Sequence, residues 1–131
     1  MGAVSESRTV VAGAVIVNAR LLLAQRAHPA ELAGRWELPG GKVEPGEQDT
    51  TALVRELREE LAIDVVVGDP VGADVDLGGG LVLRAYRVNV VSGTPAPLEH
   101  SALRWVDAAE LHTIDLVAAD RQWIPDLVAL L

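Results

Sequence analysis

The chain has 131 residues, half of them hydrophobic, no cysteine and a formal net charge of -8. That length and apolar content suit one globular domain, 1–131, with enough chain to bury a core. The missing cysteines exclude disulfides and thiolate metal sites, and the acidic balance speaks against a nucleic-acid duplex held by a basic surface. Residues 1–10 carry neither the charged start nor the apolar stretch of a secretion signal. No later apolar run reaches transmembrane length, so a cytoplasmic protein with no membrane partner, monomeric by default, is expected.

Residues 9–17, TVVAGAVIV, and 21–25 read as two buried strands joined by a turn at 18–20, a hairpin at the centre of a sheet. Arg26 closes the second strand and precedes a polar loop, 28–34, which leads to a short strand at 35–38. Pro39, Gly40, Gly41 and Gly46 then mark an irregular loop in which backbone can approach a ligand and carbonyls can point at a metal. The loop carries Lys42, the only lysine in the chain, beside the acids that follow.

Residues 48–61 fit a helix. At about 100° per residue, Leu53, Leu57 and Leu61 form an apolar stripe with Val54 beside it, and Glu56, Glu59 and Glu60 fall on the adjoining arc. A solvated surface helix would not favour this arrangement. Glu56 and Glu60 are like charges one turn apart, and Arg55 precedes Glu59 in the weaker order for an ion pair. The acids also crowd the C-terminal end, where the helix dipole disfavours anions by roughly 0.3–1 kcal/mol each. A hard divalent cation, Mg²⁺ or Mn²⁺ held by oxygen ligands together with substrate phosphates, would compensate them.

After the helix, 64–68 and 71–77 read as strand pieces, 78–80 as a glycine turn and 81–91 as a longer strand. On that strand Val82, Arg84, Tyr86 and Val88 share a face, so Arg84 either meets a nucleotide or pairs with an acid. A Gly/Pro loop, 92–98, delivers Glu99, and 102–106 is a final strand containing Trp105. Asp107 and Glu110 stand at capping-box spacing for a helical turn. A C-terminal helix begins near Asp120, a candidate N-cap, and carries Trp123, Leu127 and Leu130 inward. Trp105 and Trp123 are expected in the core. His28, His100 and His112 have no ligand-like spacing and are assigned no role.

The segment 41–63 resembles the Nudix signature, G-x5-E-x7-R-E-U-x-E-E-x-G-U with U aliphatic. Gly41, Glu47, Arg55, Glu56, Leu57, Glu59, Glu60 and Ile63 match it, and Ala62 stands in place of the second glycine. Alanine there costs about 1 kcal/mol if the left-handed backbone is kept. The resemblance covers the whole chain and is closest to the small MutT-like CTP pyrophosphohydrolase group. It implies an α/β fold of the α+β kind, with a mixed, curled β-sheet sandwiched between helices. It also implies Mg²⁺-dependent hydrolysis of a nucleoside triphosphate to monophosphate and pyrophosphate.

Residue by residue, the resemblance implies that Mg²⁺, with Mn²⁺ as a substitute, is held by the Gly40 carbonyl, Glu56, Glu59, Glu60 and Glu99. Glu56 or Glu99 would take the proton of the attacking water, and Arg55 would orient the carboxylates. Arg26, Gly41 and Lys42 would meet phosphate or sugar, Leu38 would offer backbone to the base, and Asp120 would hydrogen-bond it. An ionised Asp120 only accepts, which favours the cytosine amine or an oxidised guanine over uracil. CTP, dCTP, 5-methyl-dCTP and 8-oxo-dGTP are therefore the expected substrates. ADP-ribose or dinucleoside polyphosphates, and a non-catalytic nucleotide-sensing role, are the alternatives.

Overall fold

The computed structural model describes residues 8–131. The expectation that residues 1–10 carry no leader falls largely outside them. The elements in order are β1 (Thr9–Val17), β2 (Arg20–Gln25), β3 (Trp36–Glu37), β4 (Gly40–Lys42), α1 (Asp49–Leu61), β5 (Asp64–Gly78), β6 (Leu81–Ser92), β7 (Ala102–Val106), α2 (Ala108–Leu111), α3 (Ala118–Arg121) and α4 (Ile124–Leu130). Among the described residues no helix is long and apolar enough to cross a membrane.

β1 is a run of small and β-branched residues because both of its faces are covered. Val11 and Val15 face the core shared with Leu53, Leu57 and Leu61 of α1. Ala12 and Ala14, one step out of phase, face a second core containing Leu111, Leu116, Trp123 and Leu127. The sheet is thus sandwiched between α1 on one side and α2 to α4 on the other, the expected α+β arrangement.

The sheet is mixed. β1 runs parallel to β6 from Thr9 opposite Val82 to Val15 opposite Val88, while β5 pairs antiparallel with β6. On its other edge β1 changes partner partway along. Ile16 and Val17 pair with β2 across the expected hairpin, whose turn residues Asn18 and Ala19 have φ of 51° and 60° as a two-residue primed turn requires. Val10 to Ala12 pair instead with β4. β2 continues between β3 and β7. Where β2 and β3 part from β1 and β4, the sheet opens, and the residues around that parting line the cavities described below.

Two elements depart from expectation. The strand pieces at 64–68 and 71–77 are one strand, β5, interrupted by register shifts around Val67, Pro70, Val71 and Val75. Pro70 cannot donate to a ladder, and Gly72 takes a φ of +64°. A Cβ at Gly72 would lie 2.9 Å from Trp123 Cδ1 and 2.7 Å from Asp126 Oδ2, so the bend brings β5 backbone against the C-terminal segment. There Trp123 Nε1 donates to the Ala73 carbonyl at 2.8 Å. The C-terminal helix is likewise two short ones, because Pro125, in the first turn of α4, starts a helix better than it continues one. Asp120 lies inside α3, and its N-cap is Val117. The capping box of Asp107 and Glu110 forms as expected. Ala62 keeps the left-handed conformation, with φ 59° and ψ 34°, and its N–H donates to the Arg58 carbonyl at 3.1 Å.

Candidate active site

α1 buries Leu53, Leu57 and Leu61 completely, and this fixes where its acids go. They do not share one environment. Glu59 is exposed, Glu56 is half-buried, and Glu60, expected on the acidic outer arc, is only 5% exposed. Arg55 gathers the others. Its guanidinium forks onto Glu47, with Nη2 to Oε1 at 2.8 Å and Nε to Oε2 at 3.0 Å, and its Nη1 donates to Glu56 Oε1 at 2.9 Å. Glu59 lies 3.7 Å from the same nitrogen. Hydrogen bonds from Arg55 hold the Glu47 carboxyl down at about 2, and Glu47 in turn raises Arg55 above its ordinary range. One fork therefore orients the edge of the acidic face.

β4 closes over this helix. A Cβ on Gly41 would lie 2.3 Å from the Glu56 carboxyl carbon, so only glycine lets that carboxylate rest against the strand backbone. From the other side comes the loop between β6 and β7. Ala96 N–H donates to the Leu61 carbonyl at 2.9 Å, Leu98 N–H to the Glu60 carbonyl at 3.1 Å, and Ser101 N–H to the Gln25 carbonyl at 2.9 Å. These bonds stitch the loop to the end of α1 and to β2, and so deliver Glu99 and His100 beside Glu60.

Two adjoining cavities result. The first, of about 460 Å³, is lined by Arg26, Glu37, Gly40, Glu56, Glu60, Glu99 and His100, together with Ala27 and His28. Burial pushes the Glu60 carboxyl well above the usual carboxylate range, and the charges of Glu56, Glu99 and Glu37 push it further. Its Oε2 has no hydrogen-bond partner among the described residues. Four acids around one cavity, Gly40 in its wall and an orphaned carboxyl oxygen fit a hard cation, the oxygen-rich donor set expected of Mg²⁺ or Mn²⁺. Among the described residues no three such side chains already converge as a coordination shell, so the donors surround the space without closing on it.

The second cavity, of about 470 Å³, shares Arg26, Glu37 and Gly40 with the first and continues past Gly41 to Leu38, Leu83, Val117, Ala119 and Asp120. Its walls are mostly apolar and its far end carries one carboxyl. Asp120 is 4% exposed, and its Oδ2 accepts the Leu38 N–H at 2.8 Å. Burial pushes this carboxyl up to about 7, against the pull of that hydrogen bond. This bears on one expectation, the ionised Asp120. The Leu38 N–H is committed to Asp120, and Asp120 holds its proton in part near neutrality, so it both donates and accepts.

Arg84 also departs from the nucleotide-binding expectation. It pairs with Asp74 through two hydrogen bonds, at 2.9 and 2.8 Å, and with Asp49 at 2.8 Å, and it lines neither cavity. The acid-pairing alternative is the one realised, because its face of β6 meets the first turn of α1, where Tyr86 also donates to Asp49. Lys42 has an exposed side chain outside both cavities, and its carbonyl accepts from Arg55 at 3.3 Å.

Sequence reasoning passed over Glu37 and His100. Glu37 Oε1 accepts from Arg26 Nη1 at 2.9 Å, and Glu37 Oε2 lies 3.0 Å from His100 Nε2. Spacing alone gives this histidine no role, because no second histidine stands at ligand spacing from it. Its signal was adjacency to Glu99, since a loop that delivers one residue to the cavity delivers its neighbour too.

A family model described as NUDIX domain matches residues 7–127. A Mycobacterium tuberculosis (strain H37Rv) protein named "Putative 8-oxo-dGTP diphosphatase 2" is 56% identical over 124 residues, covering 92% of this chain and 88% of its own. A CTP pyrophosphohydrolase of Escherichia coli K12 is 41% identical over 123 residues, covering 92% and 91%. The solution structure of the E. coli ORF135 protein superimposes with a TM-score of 0.80 at 39% identity, over 93% of this chain and 89% of that one.

Proposed function

The chain belongs to the Nudix family and is a nucleotide pyrophosphohydrolase, and from that premise we propose that it cleaves cytosine or oxidised-purine nucleoside triphosphates to the monophosphate and pyrophosphate. The observation that carries this reading is the pair of joined cavities. One is acidic and suited to a cation and phosphates; the other is mostly apolar, of about 470 Å³, and carries the buried Asp120 carboxyl in its wall. Relatives named for 8-oxo-dGTP and for CTP support both base classes.

Mg²⁺ would be held by the Gly40 carbonyl, Glu56, Glu59, Glu60 and Glu99, and when bound it supplies charge neutralisation on the phosphates and acidification of a water. The chain's own residues do the rest. Glu56 or Glu99 takes the proton of the attacking water, and Arg55 holds Glu56 in place through its 2.9 Å bond. Arg26, between the two cavities, offsets charge on the phosphates, with Lys42 adding a cation from the exposed side of β4. Leu38 and Leu83 flank the base, and Asp120 reads its edge.

Initial rates with Mg²⁺ and with EDTA, across CTP, dCTP, 5-methyl-dCTP, 8-oxo-dGTP, UTP and ADP-ribose, test the reading, with pyrophosphate and phosphate measured separately. Magnesium-dependent pyrophosphate release from the cytosine or oxidised-guanine substrates is expected. Turnover of ADP-ribose alone would leave the acidic cavity its role and remove the nucleoside assignment.

A further inference from the structure

Building on the nucleotide-hydrolase reading, we propose that His100 is a positioning residue for substrate binding: its imidazole fixes the Glu37 carboxylate at the junction of the two cavities, as a preset acceptor for the nucleoside. Glu37 is held from both sides. His100 Nε2 lies 3.0 Å from its Oε2, and Arg26 Nη1 donates to its Oε1 at 2.9 Å. Arg26 is anchored in turn, its Nε donating to the His28 carbonyl at 3.2 Å. Because a carboxylate oxygen accepts, Nε2 is the ring nitrogen that supplies the hydrogen of this bond.

The ring Nδ1 is buried without a hydrogen-bond partner among the described residues, 3.7 Å from Glu60 Oε1. A ring placed only to fill space would not leave a nitrogen orphaned in a side chain just 8% exposed. The one hydrogen bond the ring makes among the described residues is the bond to Glu37. Glu37 needs such a partner because Glu56 and Glu99 line the same cavity and repel it. A glutamate with free torsions would lose side-chain entropy on meeting substrate, whereas one pinned at both oxygens has lost it already. The stitched loop that carries His100 makes the pin rigid.

Three variants separate the nitrogens. His100→Gln sets an amide near the Nε2 position, His100→Asn sets one near Nδ1, and His100→Ala removes both. With the nucleoside triphosphate turned over fastest, KM is expected to rise about tenfold in the Asn and Ala variants, with kcat within about twofold, and to stay near wild type in the Gln variant. In a Glu37→Gln background, His100→Ala should add less than about twofold, because the two residues act as one unit. Thermal melts accompany each variant, and if the Ala variant does not fold, the Gln and Asn comparison decides.

Rescue by Asn and not by Gln would place the role at Nδ1, toward Glu60, and overturn the proposal. So would a loss confined to kcat, unchanged KM in all three variants, or full additivity with Glu37→Gln. Those results require an active wild type. A wild type that hydrolyses no nucleotide would instead remove the functional reading, and this inference with it.

Discussion

Asp120→Asn isolates the cost of the carboxyl at the far end of the nucleoside cavity. Asparagine is nearly isosteric and keeps an oxygen to accept the Leu38 N–H, now at 2.8 Å, but it does not titrate. The Asp120 carboxyl stands at about 7 in the folded protein against an ordinary 3.8. At about 1.4 kcal/mol per unit, that shift is worth roughly 4 kcal/mol at most, and about 2–4 kcal/mol is expected after relaxation. Because the folded value is raised, the folded state binds the proton more tightly than the unfolded chain. Stability is therefore whole below about pH 4, falls as pH rises toward 7, and then levels. Urea unfolding of both proteins from pH 4.5 to 8.5 measures this, since every other group titrates alike in the two. The stability difference should grow in favour of Asn with rising pH and plateau near pH 8. A difference that does not change with pH would refute the reasoning, whatever its sign.

Glu60→Gln should abolish most turnover and, in EDTA, stabilise the protein by on the order of 2 kcal/mol, because it removes a desolvated acid crowded by like charges; a less stable variant would count against the repulsion. Mg²⁺ should raise the melting temperature of the wild type and not of that variant. Arg55→Lys keeps the charge and loses the fork onto Glu47 and Glu56, so kcat should fall by about tenfold or more; steady-state kinetics that match wild type would remove its orienting role. Ala62→Gly relieves the left-handed strain and should stabilise by about 1 kcal/mol, a few degrees in a thermal melt, without altering kcat. Finally, the rate on UTP relative to CTP should rise as pH falls below about 7, since protonated Asp120 donates to a carbonyl where the ionised form accepts from an amine; a ratio that is flat from pH 6 to 8 would detach Asp120 from base reading.

What could be read from the chain is what is encoded locally. The period of α1 gave Leu53, Leu57 and Leu61, the signature spacing gave the acids with Arg55, and the spacing of Asp107 and Glu110 gave their cap. The arrangement in space was less accessible. Glu56, Glu59 and Glu60 look equivalent on a helical wheel, yet Glu60 is buried because the loop bearing Leu98 and His100 folds over it, and no local pattern announces that. Arg84 was ambiguous for the same reason, since its partners Asp49 and Asp74 come from different elements. Its position near a helix start makes Asp120 a capping candidate, but its environment is set by Leu38, 82 residues earlier in the chain.

Glu60 and Asp120 are the two buried carboxyls among the described residues, and each sits at one end of the joined cavities. Neither is neutralised by a direct ion pair with a basic side chain of Arg or Lys. Burial raises both, yet the surroundings differ. Glu60 is ringed by other acids, so a cation arriving there offsets the repulsion that ionising it would bring as well as gaining ligands, and the metal-free protein keeps the Glu60 proton at a cost in stability. Asp120 has one backbone donor and apolar walls, which leave its proton nearly free to come or go at neutral pH. The same desolvation thus prepares one end for a fixed positive charge and the other for a hydrogen bond of either sense. Arg26 and Glu37, paired at 2.9 Å, line both cavities, and the charge of Glu37 is felt at both ends.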